Sequence, residues 1–279
     1  MAEIAQAAGG DLGTLGQGHW SHVEGGTGRV EEHHLAFALS ALNANEHTRS
    51  TLHELWSRAY DKGKWREYSD IVSEPVEMLG ELCELAGSVR TYDTLFIPGL
   101  LQTPDYTRAV AERSRAFVVP NNVDRIADLR AEWQKQLVSP GFQGLRAVMT
   151  EGALRTQVRK PGDDAAGEPD VLMREQYQYL LDVGRDQDRP PVTIQVMPFT
   201  VTPPGLDTFM IFEFPDDDDP DMVFVDGDTS HRIYEEGSPT DKGQARRYRY
   251  TFDVALAEAL TPAQSLSFID RLLKETKTP

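Results

Sequence analysis

The sequence predicts an α+β fold class: a small all-α N-terminal module, then a larger α+β domain with a mainly antiparallel sheet. Three observations carry this. Composition shifts near residue 60: the first 60 residues hold six of the seven histidines and set three basic against seven acidic side chains. From "KGKWREYSDIVSEPVEMLGEL" onward, aromatics and long helical periods take over. Farther on, four short runs rich in Val, Ile, Phe and Thr lie between Pro, Gly and Asp punctuation, the pattern of strands. The expected boundaries are 1–62 for the helical module and 63–279 for the α+β domain.

The first elements form a helix-turn-helix pattern. "MAEIAQAAGG" places Ile4, Ala5 and Ala8 on one apolar face and ends on Gly9-Gly10, as a support helix does. "GQGHWSHVEGG" follows as a second helix, with Trp20 and Val23 three apart facing the core. Gln17, Gly18, His19, Ser21 and His22 then fall on or near its outer side. Gln bonds bidentately to an adenine edge, and Ser and His reach phosphates or base acceptors, so these five are the candidate DNA contacts. In "EEHHLAFALSALNANEHTRSTLHELW", Leu35, Ala38, Leu39 and Leu42 make the packing stripe of a further helix.

The large domain follows the same logic. In "EPVEMLGELCEL", Val76, Leu79, Leu82, Cys83 and Leu85 recur near a 3.6 period after Pro75, a good first helical residue. "GSVRTYDTLFIPG" reads as extended, closed by Pro98-Gly99. "PDYTRAVAERS" and "NNVDRIADLRAEWQKQLVSPG" are amphipathic helices, the second with Val123, Ile126, Leu129, Trp133 and Leu137 on one face. The strand runs are "LRAVM", "VTIQVMPF", "DTFMIFEF" and "DMVFVDG"; helices over "DKGQARRYRYTFDVALAEAL" and "TPAQSLSFIDRLLKE" close the domain.

Charge bounds the partners. With 45 acidic against 28 basic residues the net charge is −17, which disfavours nonspecific attraction to phosphates or anionic lipid by the chain as a whole, so any nucleic-acid contact must be local. The single Cys83 rules out an internal disulfide framework, and no segment approaches ~18 consecutive apolar residues, so we expect a cytoplasmic protein with no membrane partner. No cofactor is expected. The N-terminal histidines lack a completing carboxylate or thiol, and "PDDDDPD" lacks the Gly and closing Glu of a calcium loop, so it reads as a solvated hairpin loop and no metal site is expected. No catalytic triad order or phosphate-cradling glycine loop is legible, and Glu151 with Arg155 reads as a helix-surface pair. Arg90, Tyr92, Gln102 and Gln195, next to apolar strands, are the candidate ligand contacts between "VRTYDTLFIPGLLQT" and the strand pair "VTIQVMPF" and "DTFMIFEF".

The run "EIAQAAG…GQGHWSHVEGGTGRV" resembles the second and third helices of the xenobiotic-response-element or Cro type of helix-turn-helix: Gln17, Ser21, Val23, Glu24 and Gly26 fall on that family's Gln, Ser, Ile, Glu and Gly. His22 stands where the family carries Arg. "VRTYDTLFIPGLLQTPDYTRAV", "TEGALRTQV", "MREQYQYLLDV", "VTIQVMPF" and "FMIFEFPD…VFVD" resemble, in order, the large C-terminal domain of uncharacterised function that follows this helix-turn-helix in many actinobacterial regulators. The resemblance implies a transcriptional regulator that binds double-stranded DNA, whose C-terminal domain senses a small-molecule effector or a small protein partner encoded nearby, with room for a homodimer. The alternative is a stand-alone effector-binding protein or enzyme that has lost DNA binding. The chain opens where the family's second helix would begin, so we expect either a start upstream of Met1 or loss of the first helix.

Overall fold

The computed structural model describes residues 32–60, 64–113, 122–158, 171–216, 219–227 and 231–276; the two helices expected over residues 1–26, with Gln17, Gly18, His19, Ser21 and His22, lie outside the described residues. The chain divides into two compact units, residues 1–64 and 65–279.

In the first unit α1 (Glu32–Ala41) and α2 (Glu46–Tyr60) are joined by a tight turn. Asn43 takes a left-handed φ of 49°, a conformation Asn tolerates. Asn45 caps α2 by accepting from the Thr48 N–H at 2.8 Å. Arg49 then reaches back, donating to the carbonyls of Ala44 and Leu39 at 2.9 and 3.1 Å, which ties the start of α2 to the end of α1. The expected stripe is shorter than the sequence suggested. Leu39 is buried and Leu35 and Ala38 half-buried, but Leu42 is exposed because it falls past the last turn of α1.

The second unit is built on a six-stranded sheet: β1 (Ser88–Asp93), β2 (Gly144–Thr150), β3 (Val192–Met197), β4 (Thr208–Glu213), β5 (Met222–Asp226) and β6 (Arg232–Glu235), in the order β3-β2-β1-β4-β5-β6. The sheet is mixed, correcting the mainly antiparallel expectation: β1 with β2 and β2 with β3 are parallel, while β1–β4, β4–β5 and β5–β6 are antiparallel. The reason lies in the connections. Two strands can run parallel when a long crossover returns the chain, and helices α4 (Pro104–Arg113) and α5 (Val123–Gln134) intervene between β1 and β2, α6 (Glu151–Arg155) and α7 (Val171–Arg185) between β2 and β3. The "PDDDDPD" run is the β4–β5 hairpin loop; Pro215, Asp216, Asp219 and Pro220 are exposed, while Asp221, at its end, is half-buried and pairs with Arg249.

Strand alternation sends side chains to two faces with different covers. On one face Val89, Leu145, Ala147, Met149, Ile194 and Phe212 pack under α3 (Glu74–Leu85), α4, α5, α7 and α9 (Pro262–Glu275). On the other, Tyr92, Val148, Phe209, Ile211 and Val223 pack under one helix, α8 (Gln244–Glu258), through Ala245, Phe252 and Ala255. The outer edge of β3 is covered: Val196 N–H donates to Ser265 Oγ at 3.0 Å and Leu260 N–H to the Val196 carbonyl at 2.9 Å. Among the described residues no helix is long and apolar enough to cross a membrane.

Candidate ligand site at the end of strands β1 and β5

The segment Pro98–Pro104, "PGLLQTP", is fixed by two buried glutamines. Gln102 donates from Nε2 to the Ile97 carbonyl at 2.7 Å and accepts from Thr107 Oγ1 at 3.0 Å. Gln176, fully buried on α7, accepts from Thr103 N–H and donates to the Leu101 carbonyl, both at 2.7 Å. Leu100 and Leu101 are core residues, and Pro104 opens α4. A loop with its backbone groups paired this way is a rigid wall.

Gly99 in that wall faces Arg130 of α5. A Cβ placed on Gly99 would lie 2.7 Å from Arg130 Nη1, so the glycine makes room for the guanidinium. One turn along α5, Trp133 presents its ring to Arg130, with Cζ 4.3 Å from the ring centroid. Arg130 is half-buried and makes no hydrogen bond or ion pair with another described residue. Burial holds its guanidinium below the usual range; Asp226 and Asp93 act in the opposite sense. A guanidinium still keeps its proton there, since its ordinary value lies so high.

Two carboxyl groups, at the ends of β1 and β5, act on it. Tyr92 pairs with Phe209 and Thr208 with Asp226, so Asp93, one residue beyond Tyr92, ends its strand level with Asp226. By alternation both belong to the face beneath α5, together with Thr91 and Phe224. Asp93 is buried, and its Oδ2 accepts from Thr91 Oγ1 at 2.5 Å. Burial pushes the Asp93 carboxyl up to about 8 and the Asp226 charge adds to this, while the Thr91 hydrogen bond and Arg130 pull it down. Asp93 is therefore a neutral carboxylic acid at pH 7, able to donate a hydrogen bond. Asp226 is half-exposed, with its Oδ1 3.0 Å from Nδ1 of His231, whose ring stacks on Phe224. Cys83, also among the groups acting on Arg130, is buried with its thiol pushed up to about 12, which leaves it inert as a nucleophile. Among the described residues no group of three or more His, Cys, Asp or Glu side chains is arranged to hold a metal.

The residues expected to form a ligand site are not brought together. Arg90, Tyr92 and Gln195 share the face under α8, whereas Gln102 lies in the opposite layer with "PGLLQTP". Each already has a protein partner. Arg90 pairs with Glu213 and lies 3.7 Å from Asp253; the Tyr92 hydroxyl donates to the Gly205 carbonyl at 3.1 Å; Gln195 Nε2 donates to the Leu260 carbonyl at 2.9 Å. Sequence reasoning missed Asp93, Gly99, Arg130 and Asp226. An acid closing the apolar run of β1, and Arg130 three residues before Trp133, were the available signals. The Glu151–Arg155 pair is a helix-surface contact at 2.6 Å, and Glu151 also accepts from the Phe199 N–H at 3.0 Å.

The profile of the family described as "Domain of unknown function (DUF5753)" matches residues 77–271. The chain belongs to this family. A comparison with curated proteins finds no match. The DUF5753 span contains the whole sheet, "PGLLQTP" and all four of Asp93, Gly99, Arg130 and Asp226, and it leaves the N-terminal unit outside.

Proposed function

We propose that this DUF5753 protein is a DNA-binding transcriptional regulator, with a helix-turn-helix in the N-terminal unit and a DUF5753 domain that responds to an effector. The observation that carries the reading is the division at residue 64: the run Gly16–Gly26, with its resemblance to a recognition helix, belongs to a unit separate from the family domain. A net charge of −17 fits local rather than diffuse DNA contact. Gln17, Gly18, His19, Ser21 and His22 are the proposed contacts, in the cytoplasm, by a monomer or homodimer. Selection and sequencing of genomic fragments bound by the full chain tests this. A discrete set of sites whose affinity falls with salt is the expected result, and His22→Arg should raise affinity across sequences without narrowing their choice.

A second reading, a stand-alone effector-binding protein or enzyme, is favoured by one observation: the Arg130 site is complete within residues 65–279. Absence of fragment enrichment even at low ionic strength would select it.

A further inference from the structure

We propose that the DUF5753 domain binds a small organic carboxylate beside α5, near the ends of β1 and β5, with Arg130 taking the carboxylate and Asp93 donating to it. The proposal concerns the large domain by itself and stands whether or not the N-terminal unit binds DNA.

Three features of Arg130 and its surroundings argue for a ligand. Arg130 offers five N–H donors in a planar fork, and among the described residues none of them is used. Leaving such a group half-buried and unpaired is unfavourable, so the domain is incomplete at this point without water or a bound acceptor. The group is also held in place: Trp133 stacks on one side of it, and Gly99 clears space at Nη1. Finally, the nearby acids do not close on it. No nitrogen of Arg130 comes within ion-pair distance of Asp93 or Asp226, although these are the carboxyl groups that act on it.

The chemistry of the walls selects the class. A cation is repelled by Arg130. A phosphate dianion would meet one guanidinium with Asp226 close by, in a chain of net charge −17, and is disfavoured. A carboxylate carries a single charge, matches the guanidinium fork bidentately, and accepts a hydrogen bond from a neutral carboxylic acid. Asp93 supplies that acid, because burial keeps its proton on to about pH 8. The ionisable groups acting on or acted on by Asp93 are Arg130 on α5, Asp226 on β5, Tyr106 on α4 and Tyr92 on β1 itself. Burial raises both tyrosines well above neutrality, so between pH 6 and pH 9 Asp93 is the group among these whose proton changes binding.

The test uses the full chain and a panel of aliphatic and aromatic monocarboxylates, each matched with its primary amide. Readouts are the thermal midpoint and the Arg130 Nε–H resonance. At least one acid should raise the midpoint and move that resonance while its amide does neither. Arg130→Met should abolish the rise in midpoint, and Arg130→Lys should weaken binding about tenfold because the bidentate fork is lost. Affinity of the wild-type chain should fall above about pH 8, and Asp93→Asn, which still donates through its amide, should bind with that fall removed. A panel in which no acid is preferred over its amide would overturn the proposal. So would an acid that binds Arg130→Met as tightly as wild type, a result that also distinguishes a misplaced site from an unfolded variant. The DNA-fragment selection reads none of these quantities, so failure here and failure of the regulator reading are separate outcomes.

Discussion

Two arginines lie over aromatic rings on opposite faces of one sheet. Arg90, on β1, sits with Cζ 5.9 Å from the Phe252 ring and pairs with Glu213, whose other oxygen accepts from Ser88. Arg130, on α5, sits 4.3 Å from the Trp133 ring and has no hydrogen-bonding partner among the described residues. The face under α8 is therefore closed electrostatically as well as sterically, and its polar groups serve the fold. The face under α5 leaves a cation without an ion pair at the strand ends, beside a protonated acid whose side-chain partner is Thr91. Similar residue types thus take opposite roles, and the difference lies in what stands across from them.

The largest effect expected from testing this comparison is on the closed face. Phe252→Ala removes a fully buried ring between α8 and the sheet, and should lower stability by about 3–5 kcal/mol, read by denaturant unfolding. A loss below about 1 kcal/mol would mean that α8 is not the cover that holds this face.

Asp93→Asn acts at the open face and depends on pH. The folded Asp93 carboxyl is raised to about 8 from an ordinary value of about 3.9. Its contribution is fully present below the lower value and is lost as pH rises through the folded one, because the unfolded chain ionises first. Asn cannot ionise, so the variant should gain on wild type from about pH 4 upward and exceed it above about pH 8 by about 2 kcal/mol, under a linkage ceiling of about 5 kcal/mol. Thermal midpoints across pH read this directly; parallel profiles for the two proteins would show that Asp93 is ionised in the fold.

The direct exchange is Arg90→Met against Arg130→Met. The first strips Glu213 of its cation and should cost about 1–2 kcal/mol. The second removes a half-buried charge that has no ion pair, and should leave stability unchanged or raise it. Equal losses in the two variants would erase the distinction between the faces.

Gly99→Ala should have the smallest effect on stability, below about 0.5 kcal/mol, since the atom its Cβ meets is the free end of a long side chain. It should still shift the Arg130 Nε–H resonance, as the guanidinium moves off Trp133. An unmoved resonance would mean that Gly99 does not set the position of Arg130.

Much of the fold was legible in local pattern. The helices opened by Pro75, Pro104 and Pro262, and the strands carrying "LRAVM", "VTIQVMPF", "DTFMIFEF" and "DMVFVDG", follow from periodicity and punctuation that each segment carries within itself. Thr261 and Gln264 form a capping box that announces α9 in four letters, and Pro262 takes its first position. β6 escaped because a four-residue edge strand with a charge at each end has no interior pattern to read. Strand direction escaped as well: parallel or antiparallel pairing depends on which crossover returns the chain, a property of the whole path. The site lay beyond local pattern for the same reason. Asp93, Gly99, Arg130 and Asp226 come from a strand end, a loop, a helix and a second strand, and each alone reads as an ordinary residue of its element. The sequence by itself determined the elements and the acidic balance, because propensity and periodicity act over a few neighbours. Only the tertiary structure decided which arginine found a carboxylate and which did not, because burial and distance exist once the sheet has brought separate segments side by side.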